Sequence, residues 1–255
     1  MFIQNPIGFY TLTRREVSRF LKVYIQTIIA PFLSNILFLG VFGSLLFTQK
    51  GGSQEEYLMF LVPGLCVMGA IMNSYQNPSS SMIIHKYRGM LQELNSYPLT
   101  TLEKLLAYLI GGVVRGIIVA YLTMAAASVF VDISITFPFL FFFIISMVSL
   151  VFSALGIIIG LVFDGFDVMS FILTIILTPL LYFGGVFFKV SDLPSIFASI
   201  MVFNPLFPFV DMVRYAYLGS VEGNLLYESI AFIIMTISIL IAAYIIFDKG
   251  LGIRD

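Results

Sequence analysis

Six stretches of this chain are apolar for long enough to cross a bilayer, a crossing helix needing about 20 such residues. They are Tyr24–Phe47, Leu58–Asn77, Leu105–Val131, Phe137–Phe163, Val168–Phe188 and Ser229–Phe247. The runs are continuously apolar, which excludes the alternation of a membrane β-barrel. Backbone polar groups in lipid must pair within their own segment, so each run is predicted as a helix. Residues 1–23 follow another pattern. Arg15, Arg19 and Lys22 recur on one face, with Thr13, Val17, Phe20, Leu21 and Tyr24 opposite. That spacing predicts an amphipathic helix lying along the membrane surface. A plain basic patch that sets topology fits the same residues.

Two segments outside the runs carry information. In residues 78–104, Ile84, Tyr87, Leu91 and Leu94 have helical spacing from about Ile83 to Leu94, while Lys86, Arg88, Gln92 and Glu93 form the other face. Pro98 stops this helix, and Thr100 with Glu103 predicts a capping box for the next. Such a helix suits a docking element, and equally a connecting helix resting on headgroups. In residues 189–228, the apolar stretches Leu193–Phe203 and Phe209–Leu218 are too short to span and are broken at Asn204-Pro205. They predict re-entrant or interfacial helices, read as a lid or exit region or as a greasy surface loop.

Composition turns the pattern into a class. The 255 residues are 60% hydrophobic and only 11% charged, with a mean hydropathy of +1.04. Soluble domains carry roughly a quarter charged residues. The fold class expected is therefore an all-α membrane protein, a single transmembrane domain over 1–255. Orientation follows the Lys and Arg residues. Of 13, four precede the first run (Arg14, Arg15, Arg19, Lys22), Lys86, Arg88 and Lys104 lie in 78–104, and Lys249 and Arg254 follow the last run. Lys50, Lys189 and Arg214 fall on the opposite side and Arg115 lies within a run. Nine against three places both termini and 78–104 in the cytoplasm and 189–228 outside. The first 23 residues do not read as a cleavable signal.

The chemistry-bearing residues are few. A single cysteine, Cys66, and a single histidine, His85, give neither a disulfide nor a metal cluster. No catalytic, cofactor or metal residues are predicted, and nothing points to nucleic acid. No Gly-x-x-x-x-Gly-Lys-Ser/Thr occurs, so any energy source is another polypeptide or an ion gradient. Arg115 either snorkels to the inner headgroups or makes a structural pair, or it lies near a substrate path. Asp164 and Asp167 are predicted to cap the fifth span. Asp211 and Arg214, three apart, are predicted to pair on one helix face. Gly156 and Gly160 permit close helix approach, and Gly184-Gly185 permits a bend.

Two stretches resemble a known family. Arg88-Gly89-Met90-Leu91-Gln92-Glu93-Leu94 with Ser96-Tyr97-Pro98-Leu99 is similar to the G-T-L-E-x-L…S-P-L stretch of type-2 ATP-binding cassette (ABC) permeases, with Met90 at the usual Thr and the acid displaced to Glu93. Pro179 to Phe188, then Leu193-Pro194, Asn204-Pro205-Leu206 and Asp211-Met212-Val213-Arg214, resemble that family's P-x-x-x-x-G-x-x-F…L-P…N-P-L…D-x-x-R signature. The order and spacing of both cover nearly the whole chain.

The resemblance implies a non-enzymatic exporter subunit of the plasma membrane, the inner membrane in bacteria. It pairs with a second permease copy and docks an ABC ATP-binding subunit that carries ATP and Mg. Lys86, Arg88, Gly89, Leu91, Glu93 and Pro98 would couple to that partner, and Arg15, Arg19 and Lys22 would lie on a connector helix. Gly184, Gly185, Pro194, Asn204, Pro205, Asp211 and Arg214 would form the external gate. Without the resemblance, a secondary carrier or a polytopic membrane enzyme remains open. Carboxylates within the spans would favour the first and a catalytic cluster the second.

Overall fold

The computed structural model describes residues 4–45 and 54–250. Lys50, Arg254 and the end of the first predicted run lie outside them. The described chain is helical, with no strand among the described residues. In order it forms α1 (Pro6–Leu21), a π-helical turn (Ile25–Ile29) leading into α2 (Ala30–Leu45), α3 (Gln54–Tyr87), α4 (Met90–Ser96) and α5 (Thr101–Ala127). Then come α6 (Pro138–Val162), α7 (Phe166–Val186), α8 (Ser195–Val202), α9 (Phe207–Leu218) and α10 (Leu225–Lys249).

Five helices, α3, α5, α6, α7 and α10, are long and apolar enough to cross a membrane. Two bent pairs pass the same test only together: Pro6–Leu21 with Ile25–Val41, bent by 73°, and α8 with α9, bent by 88°. The six runs of the sequence correspond to the five helices plus the second limb of the first pair. The α8–α9 pair bends by nearly a right angle around Asn204-Pro205, a shape common to a broken span and a re-entrant segment.

Helix α3 is the centre of the molecule: 72% of its most apolar window is buried, against 11% for α7 and 22% for α10. Small residues allow this. A Cβ on Gly116 of α5 would lie 3.1 Å from the Ala70 carbonyl oxygen, and one on Gly160 of α6 would lie 2.8 Å from that of Ser79. Backbones thus meet where lipid supplies no hydrophobic drive for association and close packing must. The buried faces of α6, α9 and α10 join through aromatic contacts, Phe152–Phe209 at 5.6 Å and Phe209–Phe232 at 5.0 Å between ring centroids.

Three expectations change. The second run, Leu58–Asn77, ends in the sequence at a polar stretch, yet α3 continues through Pro78 to Tyr87. The Asn77 carbonyl, next to that proline, accepts from both Arg19 and Ser80, and side chains of this kind make proline tolerable in a membrane helix. The helix expected from Ile83 to Leu94 is two pieces, separated at Gly89, whose φ of 67° lies in the left-handed region. Tyr87, expected on its inner face, is exposed and stacks on Phe166 at 6.4 Å. Finally, α1 does not turn its basic face away from the protein. Leu12, Glu16 and Phe20 are its buried residues, and Arg19 points at α3; of the expected basic face, only Lys22 is exposed.

Candidate functional site

One end of the molecule gathers α1, α4, the start of α5 and the last turns of α3, α6 and α10. Helix α4 has seven residues, too few to hold itself in water. Leu91 and Leu94 anchor it in a cluster with Leu12, Leu105 and Phe247, each burial contributing about 1.5–3 kcal/mol. Its other side is open: Arg88, Gly89, Gln92, Glu93, Tyr97 and Pro98 are exposed. Lys86 does not join that face. Its Nζ is 2.8 Å from Asp164 Oδ1 in the turn between α6 and α7. The Asp164/Asp167 caps are therefore corrected: Gly165 occupies the N-cap position of α7 without a side-chain bond. Beside α4, a groove of roughly 270 Å³ runs between α1 and Tyr97–Leu99.

The α5 capping box forms as its sequence predicts, Thr100 Oγ1 accepting from the Glu103 amide. Glu103 does more. Its Oε1 accepts the amides of Gln4 and Asn5, both at 2.7 Å, tying the start of α1 to the start of α5. The polar contacts of α1 centre on Glu16, which sequence reasoning missed. Its carboxylate bonds Ser81 Oγ at 2.7 Å and pairs with Arg15 at 3.3 Å and Arg19 at 3.5 Å. Arg19 also donates to the Asn77 side chain, and Arg15 to the Tyr108 hydroxyl, itself 3.1 Å from His85 Nδ1. The available signal was Glu16 standing at i+4 from Leu12 and i−4 from Phe20, an acid in the apolar stripe.

Between α2 and the α3–α5 pair lies a cavity of roughly 740 Å³. Arg115 is on its wall. The residue is only 8% exposed, its side chain enclosed by the protein on the cavity wall. Asn35 crosses from α2 to Thr123 of α5 at 2.6 Å and closes one side of the space.

At the far end, α9 is locked against α7 and α3. Gly185 takes a φ of 87°, and its carbonyl accepts from Arg214 Nη2. A left-handed position of this kind favours glycine. Arg214 pairs with Asp211 at 3.5 Å and stands 4.0 Å from the centre of the Phe60 ring. Asp211 also accepts the amides of Glu222 and Gly223. Glu228 is buried too and was missed. Asn204 ties the break between α8 and α9 to α7, donating to the Leu180 carbonyl at 2.7 Å and accepting from the Leu206 amide at 2.8 Å. Gly184 approaches Leu206, with room for a Cβ at 3.4 Å. Pro194 is the N-cap of α8, and Pro205 follows Asn204 in the turn. Every predicted gate residue is thus at this end, whereas Arg15 and Arg19 gather around Glu16.

A sequence model of the ABC-2 type transporter family matches residues 8–218. The chain is 28% identical over 250 residues to the inner membrane transport permease YadH of Escherichia coli K12, covering 98% of both chains. It is also 32% identical over 81 residues to nodulation protein J of Rhizobium leguminosarum bv. viciae, covering 32% of this chain and 31% of that one.

Proposed function

The chain belongs to the ABC-2 type transporter family, and from that premise we propose that it is half of an ATP-driven exporter, working as a dimer with a separate ATP-binding subunit. At the coarser level it is a multi-pass membrane permease subunit of an ABC transporter. Its similarity to an inner membrane permease favours the bacterial inner membrane. ATP and Mg belong, on this reading, to the partner.

The observation that carries the proposal is α4. A seven-residue helix anchored by Leu91 and Leu94 leaves Arg88, Gln92 and Glu93 facing outward. The groove between α1 and Tyr97–Leu99 offers a second point of engagement. Among described residues, Arg14, Arg15, Arg19, Lys22, Lys86, Arg88, Lys104 and Lys249 lie at this end and only Lys189 and Arg214 at the other, which favours a cytoplasmic α4 end. Asp211, Arg214, Asn204 and Gly185 would then hold the external exit shut. The thinly covered α7 suits contact with lipid or with the second copy.

The test is purification of the tagged full chain from native membranes in mild detergent. An ATP-binding subunit is expected to copurify, with nucleotide hydrolysis in the complex. Arg88→Glu together with Glu93→Arg is expected to cut recovered partner by about tenfold while leaving the chain's own yield unchanged. Recovery of the chain alone, with transport driven by an ion gradient, would sink the reading.

A further inference from the structure

Arg115 is a buried cation without an anion. It is 8% exposed, its Nε has no hydrogen-bond partner, and its contact from Nη2 to Gln76 Oε1 is stretched to 3.5 Å. Among the described residues no carboxylate pairs with it, and none lines the cavity it faces. Among those residues the other charge on that wall is Arg19, which is already engaged by Glu16 and Asn77. An unpaired ion held away from water costs several kcal/mol, so the fold carries an uncompensated positive charge at this position. Arg115 is the fifteenth residue of α5, which places it about 21 Å from the helix start at roughly 1.5 Å per residue, midway along the helix.

The rest of the wall is two-natured. Asn73, Gln76 and Asn77 are polar residues of its lining, Gln76 within reach of the guanidinium, while Leu65, Met68 and Met72 supply apolar and adaptable surface. A volume of roughly 740 Å³ far exceeds what an inorganic anion fills and suits an organic ligand.

We propose that this cavity binds an amphiphile whose head carries an anionic oxygen group such as a phosphate, with Arg115 as its charge partner. A guanidinium presents paired donors that match phosphate or carboxylate oxygens. Gln76, beside Arg115, completes the head site, and the methionine-lined surface takes the tail. The inference rests on the permease reading for the fate of the bound molecule, and it narrows the cargo of that same pathway to anionic amphiphiles.

Binding is measured on the purified full chain in dodecyl maltoside by microscale thermophoresis, without an ATP-binding subunit. Dioctanoyl phosphatidic acid is expected to saturate a site, while dioctanoylglycerol, with the same tails and no charge, binds at least about tenfold more weakly. Inorganic phosphate, the head without tails, is expected to fall by a similar factor. Arg115→Gln should lose about tenfold in phosphatidic acid affinity, and Arg115→Lys, which keeps the charge without the paired donors, should lose less than Arg115→Gln. Gln76→Glu, which puts a carboxylate beside Arg115, should suppress binding as Arg115→Gln does, and it keeps the test decisive if Arg115→Gln fails to fold. Equal binding of phosphatidic acid and dioctanoylglycerol, or an unchanged affinity in Gln76→Glu, would overturn the proposal. Phosphate binding as tight as phosphatidic acid would make this a free-oxyanion site and overturn the amphiphile. Failure here leaves partner copurification untouched, and failure of copurification leaves these affinities untouched.

Discussion

At the α4 end one carboxylate, Glu16, serves two guanidiniums; at the far end one guanidinium, Arg214, sits near two buried carboxylates, Asp211 and Glu228. The two clusters differ most in access to solvent. The Arg15 and Arg19 side chains keep 38% and 27% of their surface, whereas Arg214 and Asp211 keep 1% and 0%. They differ also in reach. Glu16 and Arg19 bind residues of α3 about 60 positions away in sequence, while the longest bond of Arg214 spans 29. Half-open charges can exchange one partner for water or a headgroup at modest cost, and sealed charges cannot. Loosening the charge contacts of α1 with α3 and α5 therefore costs less than loosening the sealed cluster at the far end.

The contrast can be broken most severely at Asp211. Asp211→Ala strips the acceptor from Arg214 and from the 222–223 amides, and is expected to cost about 3–5 kcal/mol. Size-exclusion profiles after heating would show it as a large drop in apparent Tm, and an unchanged Tm would mean that the sealed cluster holds nothing. Glu16→Gln should cost less, about 1–3 kcal/mol, because Ser81 keeps a bond and both arginines reach solvent. Double-mutant cycles sharpen the point: the Asp211–Arg214 coupling should exceed that of Glu16–Arg19, and equal values would erase the distinction. The smallest effect belongs to Asp164→Ala. Its carboxylate is 86% exposed, so losing the Lys86 pair should move the same heating profile by less than about 1 kcal/mol.

The spans were legible because long apolar runs have one solution in lipid, and α6 and α10 match their predicted runs to within a few residues. The capping box at Thr100 and Glu103 was legible because it is a local pattern. What escaped was decided by tertiary contact. Glu16 sits among arginines that suggested a solvated basic face, and only the approach of α3 and α5 turns it inward. The polar stretch from Gln76 to Ser81 suggested a loop, but its side chains bond Arg19, Glu16 and their own helix, so α3 runs on. Glu228 is the last residue of the 189–228 segment, just before the final apolar run, and nothing local to it announces burial beside Asp211. Arg115 was visible as an anomaly; which way it faces depended on the space left between α2 and α3.

Helix α3 is one rod that reaches both charge clusters. Its 34 residues measure about 50 Å at 1.5 Å per residue. Near one tip it carries Phe60 beneath Arg214; near the other it meets Arg19 and hands over, through Gly89, to α4. The close approach of Gly116 to Ala70 lies near its midpoint, and a tilt of the whole helix about that contact would work as a see-saw. A tilt of about 10° moves its two tips by roughly 4 Å in opposite senses, given that length. A push on α4 and a tug on Phe60 would then be the same motion seen from opposite ends of the helix.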